Sequence, residues 1–185
     1  MFSYKIDDRS ELRLIELRHA DELNALVIQN FEHIREWSAW LTDKERQVER
    51  TREWIRQNLT RFADNESFTV GIWYNGALAG QIDFANVDRN ARKFETGYWL
   101  GASFQGKGLV TRACRVLINY AFQELQFNRV EMHCAVENKR SRRIPEKLGF
   151  REEGLLRQSG WLHDHFVDEV IYGLLASEWQ DKNKS

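Results

Sequence analysis

One proline, two cysteines and no surplus of charge of either sign set this sequence apart by what it is short of. A single proline among 185 residues, with 42% hydrophobic side chains, excludes collagen-like and proline-rich disordered chains. Cys114 and Cys134 stand outside any Cys-x-x-Cys or Cys/His cluster, which removes the usual zinc and dithiol signatures and implies two reduced thiols. The 27 basic and 28 acidic side chains nearly cancel, so direct nucleic-acid binding is not expected. No apolar segment follows a basic start between Met1 and Asp8, and no run reaches the roughly 18 apolar residues of a membrane span. A cytoplasmic protein without membrane contact is expected. No repeat, low-complexity tract or linker breaks the chain before the polar end Asp181 to Ser185. The length suits one domain, expected over residues 1–180, with 181–185 a frayed tail.

What is present is an alternation of strand and helix patterns. Leu12, Leu14 and Glu16 opposite Arg13, Ile15 and Leu17 predict a first strand, and Asp21 is placed to cap a helix burying Leu23, Leu26, Val27 and Ile34. Val48, Ile55, Leu59 and Phe62 recur at helical spacing over 45–63. The runs 68–74 and 77–84 flank Asn75-Gly76, the pair best suited to two positive φ angles in a hairpin turn. A strand over 94–100, a glycine-bearing loop, a helix over 110–122 and a strand over 130–136 form a βαβ unit, so these two strands should be parallel in an otherwise antiparallel sheet. A short helix ending near Lys147 and strand-like runs at about 150–158 and 166–175 close the chain.

Between the 94–100 strand and the helix stands Gln105-Gly106-Lys107-Gly108. Glycines at a helix start allow an anion to approach unpaired N–H groups at the positive end of the helix dipole. A plain glycine turn fits the same four residues. The pattern is neither a Walker loop nor the G-x-G-x-x-G of a dinucleotide fold.

In order along the chain come Glu95-Thr96-Gly97-Tyr98-Trp99-Leu100, the glycine loop, a long helix, the strand to Val136, Asn138-Lys139-Arg140-Ser141 and Lys147-Leu148-Gly149-Phe150. This series resembles the GCN5-related N-acetyltransferase (GNAT) superfamily over about residues 10–179. Trp37, Trp40, the Gly-Tyr-Trp-Leu strand and the tail Asp168 to Leu174 resemble its RimL-like, ribosomal-protein N-acetyltransferase branch. The resemblance implies an α+β (mixed α/β) fold: a mostly antiparallel central sheet of about seven strands with a splayed parallel pair, and helices on both faces. It also implies acetyl-CoA as cosubstrate and no metal. The pyrophosphate would lie on Gln105, Gly106, Lys107, Gly108, Leu109, Val110 and Thr111, the pantetheine arm along Tyr98, Trp99 and Leu100, and Asn138 would reach the cofactor from the second parallel strand. Val110 departs from the family's small residue, so crowding near the phosphates is expected without loss of the site. Pro145 replaces a tyrosine that protonates the departing thiolate in many relatives. Ser141 is then the candidate acid, with a helix N-cap as its alternative role and Pro145 in the first helical turn.

Glu95, bordering the thioester, is the candidate base, unless it is only a solvent-facing strand residue. Backbone amides near Trp99 and Leu100 would stabilise the oxyanion. Trp37 and Trp40, three apart on a predicted helix, either pack the core or rim the acceptor site. Cys134 reads as a buried hydrophobe, His133 as pointing to the opposite face, and His163-Asp164-His165 as a hairpin tip. The implied activity is acetyl transfer to an amine, first the N-terminal α-amine of a protein, with ribosomal proteins as the acceptors that the branch resemblance implies. A polyamine or other small amine, and a non-catalytic acetyl-CoA-binding regulator, are the alternatives. Seven tryptophans in a small chain suggest exposed apolar surface and a homodimer.

Overall fold

The computed structural model describes residues 3–179. Its strands are β1 (Ser3–Lys5), β2 (Ser10–Leu14), β3 (Phe68–Tyr74), β4 (Ala77–Asp88), β5 (Lys93–Glu95), β6 (Tyr98–Leu100), β7 (Arg129–Ala135), β8 (Arg151–Leu162) and β9 (His165–Leu175). Its α-helices are α1 (Ala20–Gln29), α2 (Phe31–Arg35), α3 (Val48–Ala63), α4 (Leu109–Asn119) and α5 (Lys139–Leu148). The class is mixed α+β, with mostly antiparallel pairing and one parallel pair, β5 with β7. Nine strands replace the seven expected. No helix of the described residues is long and apolar enough to cross a membrane. The tail at 181–185 lies outside the described residues. The chain forms two compact units, one reaching to Asp83 and including Tyr98–Ala113, the other comprising Phe84–Gly97 and the chain from Cys114 onward.

In the first unit β1, β2 and β3 pair antiparallel, and β3 turns into β4 at Asn75 (φ 50°) and Gly76 (φ 82°), the two positive φ angles that a tight hairpin demands. Packed together are Ile15, Leu23, Val27, Phe31, Leu41, Ile55 and Trp73. Several local expectations are corrected here. Helix α1 starts one residue before Asp21, with His19 at its N-cap position, because Glu16 and His19 close a reciprocal capping box over residues 17–19. Asp21 instead pairs with Arg52 at 3.0 Å. Ile34 belongs to the separate helix α2. That helix ends at Arg35, so Trp37 and Trp40 follow it in turns, Trp37 half-buried and Trp40 50% exposed. The strand expected over 94–100 is two, β5 and β6, interrupted at Thr96-Gly97. Strand β6 lies so close to β4 that a Cβ on Gly80 would stand 2.1 Å from the Trp99 carbonyl oxygen.

In the second unit the strands run β5-β7-β9-β8. Phe84 and Phe94 stack with centroids 4.0 Å apart, and Phe127 meets them edge-on at 5.2 and 5.6 Å. Val130, Met132, Tyr172 and Leu174 are buried with them. Helix α4 ends at Asn119, short of the expected Phe122, and passes into a π turn over Tyr120–Glu124. In α5 the N-cap is Asn138, whose side-chain oxygen accepts the Ser141 N–H at 3.0 Å. Ser141 is therefore not the cap. Pro145 is buried inside the helix rather than in its first turn, where its missing N–H removes one intrahelical bond. Gly149 (φ 86°) stops the helix in the left-handed conformation.

Loss of the Asn138 cap in Asn138→Ala should cost about 1 kcal/mol in urea unfolding, with Ser141→Ala nearer to parental stability. Phe94→Ala should cost about 3–5 kcal/mol in the same measurement, because it empties the centre of the aromatic cluster.

Candidate active site

The first unit carries the glycine loop. After a 3-10 turn at Ala102–Phe104, Gly106 (φ 74°) and Gly108 (φ 71°) adopt the left-handed conformation that only glycine takes without strain. Helix α4 begins at Leu109, and Arg112 N–H to the Gly108 carbonyl, 3.1 Å, is its first backbone bond. The amides of residues 109–111 accordingly have no intrahelical acceptor. A Cβ built on Gly106 meets nothing within 4 Å, so a ligand has room against the backbone there. Lys107 Nζ donates to the Ser103 carbonyl at 2.9 Å, and Arg112 Nη1 to the Lys107 carbonyl at 3.0 Å, tying the loop to its flanks. The Gln105 side chain bonds the His33 ring on α2. Val110 is 8% exposed, so its side chain lies inside the protein and does not crowd the loop; that expectation is corrected. Thr111 is half-buried.

Tyr98, Trp99 and Leu100 are half-buried on β6, and the buried Trp99 Nε1 has no hydrogen-bond partner among the described residues. An open cavity of about 340 Å³, lined by Asp7, Asp8, Arg9, Tyr74, Lys107 and Arg112, adjoins the loop. Open space at Gly106 and helix-start amides without an intrahelical acceptor fit the pyrophosphate of coenzyme A; of the cations lining the cavity, Arg112 is paired with Asp7 at 3.1 Å. The Trp99 ring packs against the core to which α1 and α2 contribute.

The second unit carries both candidate catalytic side chains. Glu95 on β5 is the parallel register partner of Glu131 on β7, so the two carboxylates stand side by side on one face. Glu95 Oε2 accepts the Asn86 amide at 2.9 Å; Asn86 (φ 47°) lies where β4 loses register between Ala85 and Asp88. Glu131 is 8% exposed and is held by Arg129 Nε at 2.7 Å and Lys93 Nζ at 3.4 Å. Burial pushes its carboxyl upward, but the Arg129 bond and the Lys93 charge outweigh this and hold it below the ordinary carboxylate range. Two residues along β7, His133 projects from the same face, with Nε2 3.8 Å from Glu131 Oε2. One ligating atom from each of Glu95, Glu131 and His133 lies within 4.8 Å of the others. That is the spacing of a metal group, yet two cations already neutralise Glu131.

Ser141 lies on the other face of β7, its Oγ 3.5 Å from Cys134 Sγ. Cys134 is 5% exposed, and burial pushes its thiol up, as a structural hydrophobe requires. The Asn138 side-chain oxygen, expected to reach the cofactor, is committed to the helix cap. His163 and Asp164 form the β8–β9 turn, and His165, the first residue of β9, pairs with Asp164 at 2.7 Å. Sequence reasoning missed Glu131, Arg129 and Lys93. The alternation of β7 carried a trace of them, since Arg129, Glu131 and His133 share a face, but only the strand register sets them beside Glu95.

Residues 9–151 match the acetyltransferase (GNAT) domain family. The chain is 39% identical over 181 residues to YdaF, a candidate ribosomal N-acetyltransferase of Bacillus subtilis (strain 168), covering 97% of this chain and 98% of that protein. It is 27% identical over 168 residues to the ribosomal-protein-serine acetyltransferase of Escherichia coli (strain K12), covering 91% and 93%. Among solved structures, the microcin C7 self-immunity acetyltransferase MccE, in complex with acetyl-CoA and AMP, superposes with a TM-score of 0.88 at 30% identity, covering 92% of this chain and 94% of MccE. The match over most of the chain agrees with the positive-φ loop at the start of α4 and the parallel β5–β7 pair, and the protein belongs to the GNAT acetyltransferase family.

Proposed function

We propose that the protein transfers the acetyl group of acetyl-CoA to the N-terminal α-amine of a protein, a ribosomal protein being the first acceptor to try. The observation that carries the chemistry is the division of the candidate side chains between the two faces of β7: Glu95 stands with Glu131 on one, Ser141 with Cys134 on the other. Acetyl transfer needs a proton removed from the attacking amine and one delivered to the departing sulfur, and nucleophile and leaving group occupy different sides of the reacting carbonyl carbon. A base and an acid on opposite faces suit that demand. An α-amine, with a reference pKa of ~7.7–8.0 against ~10.4 for lysine, holds a far larger free-base fraction near neutral pH and asks less of a base. The pyrophosphate lies on the amides of the glycine loop, and the pantetheine arm follows Tyr98, Trp99 and Leu100. The exposed Trp40 and half-buried Trp37 offer aromatic surface to the acceptor's first residues. Ribosomal-protein acetyltransferases among the relatives support the acceptor class.

A mass-spectrometric screen of N-terminal peptides and polyamines with acetyl-CoA tests the acceptor; acetylation of spermidine and of no peptide would overturn it. Gly108→Trp should abolish the rise in melting temperature that acetyl-CoA gives the parent, and coenzyme A bound at parental affinity by a folded variant would refute the cradle. Glu95→Gln should lower kcat/KM by roughly 10²–10⁴-fold with acetyl-CoA binding retained, and the deficit should shrink as pH passes the acceptor's own pKa. Ser141→Ala should slow thiolate departure at every pH below the reference thiol pKa of ~8.5. Leu155, Trp161 and Phe166, 54%, 49% and 59% exposed, lie on the face of the β8–β9 hairpin that buries Val170 and Tyr172 nearer the core. A second copy covering them would make the homodimer, and light scattering at micromolar concentration should then lose the dimer in Trp161→Glu.

A further inference from the structure

We infer that His133 is a positioning and relay residue that carries the acceptor's proton from Glu95 to solvent, an inference that rests on Glu95 being the base. Each turnover forms the N–C bond, breaks the C–S bond and strips two protons from an ammonium substrate. One ends on the coenzyme A sulfur and the other must leave the protein. Glu95, once protonated, needs an outlet before it can act again. Its surroundings supply one.

Three carboxylates, Glu95, Glu131 and Glu153, meet two cations, Lys93 and Arg129. Arg129 bridges Glu131 and Glu153, and Lys93 stands against Glu131. Among the described residues Glu95 is bonded by the neutral Asn86 amide and by no cation, so the uncompensated negative charge of the group falls there, where an ammonium substrate would bind. His133 is on the same face, within 4.8 Å of Glu95, a gap that one water spans with two ordinary hydrogen bonds. It is exposed, whereas Glu131 is buried and Glu95 half-buried. An imidazole ring can accept a proton at one nitrogen and donate one from the other. Glu131, kept ionised by Arg129 and Lys93, does not take the proton itself; at 3.8 Å from Nε2 it stabilises the imidazolium formed in transit. The charged groups facing His133 are Glu131 and Arg129 on its own strand, Glu95 and Lys93 on β5, Glu169 on β9 and Glu153 on β8. Ile171 is its register partner on β9.

The test is the pH profile of kcat for His133→Gln and His133→Ala beside Glu95→Gln, with a good acceptor and saturating acetyl-CoA. His133→Gln should lose roughly 10²-fold in kcat with the KM for acetyl-CoA unchanged. Free imidazole should restore His133→Ala in proportion to its neutral fraction. Parental kcat and profile in His133→Gln, with Glu95→Gln inactive, would overturn the relay and leave Glu95 as base. A deficit in His133→Ala that imidazole does not touch would reduce His133 to a structural role and overturn it equally. Parental turnover in Glu95→Gln would remove the base itself and the relay with it.

Discussion

The parallel register of β5 on β7 is the constraint on which the proposed chemistry depends. It is only three residue pairs long, from Lys93 with Arg129 to Glu95 with Glu131. A slip of one residue would turn Phe94 out of its stack with Phe84 and drive Glu95 into the aromatic cluster. The buried face, with Phe94, Val130 and Phe127, therefore fixes what the opposite face presents. Apolar packing on one side holds two carboxylates side by side on the other, an arrangement that mutual repulsion would oppose without Arg129 and Lys93 to neutralise one of them.

The glycine loop obeys a different logic. The proposed cradle uses backbone groups, so the side chains around it are free to tie the loop down: Lys107 and Arg112 bond carbonyls of the loop and its flank, and Gln105 reaches His33. Several side chains of the motif thus act as fasteners, which leaves its amides for the proposed cofactor.

Local physics made much of the fold legible. Asn75-Gly76 announces its hairpin because few other pairs accept two positive φ angles, and the alternation of Val130, Met132 and Cys134 gives β7 because one face must be buried. Helix ends were read less well. Asp21 and Ser141 have the side chains of caps, yet His19 holds the N-cap position of α1 without a side-chain bond, and in α5 the Asn138 oxygen, three residues before Ser141, takes the capping bond. Trp37 and Trp40 keep helical spacing but lie beyond Arg35. The break at Thr96-Gly97 and the Glu131–Arg129–Lys93 group follow from which strand meets which, and pairing between distant strands leaves no trace in a local window. The loop stood out because glycine at a helix start is a local signal; the neutralised carboxylate did not, because its partners come from two strands.

Strand β8 is the last in its unit, and its outer row of backbone groups could template the addition of further chains. Register shifts between Glu152 and Gly154 and again between Leu156 and Gly160 break its pairing into runs of at most three residues, the last of them Gly160 to Leu162, with charged Arg151, Glu152, Glu153 and Arg157 along the strand. An incoming strand would find its hydrogen bonds out of step after three residues. The apolar hairpin can thus offer its face to a partner while its border resists strand-by-strand growth into fibrils.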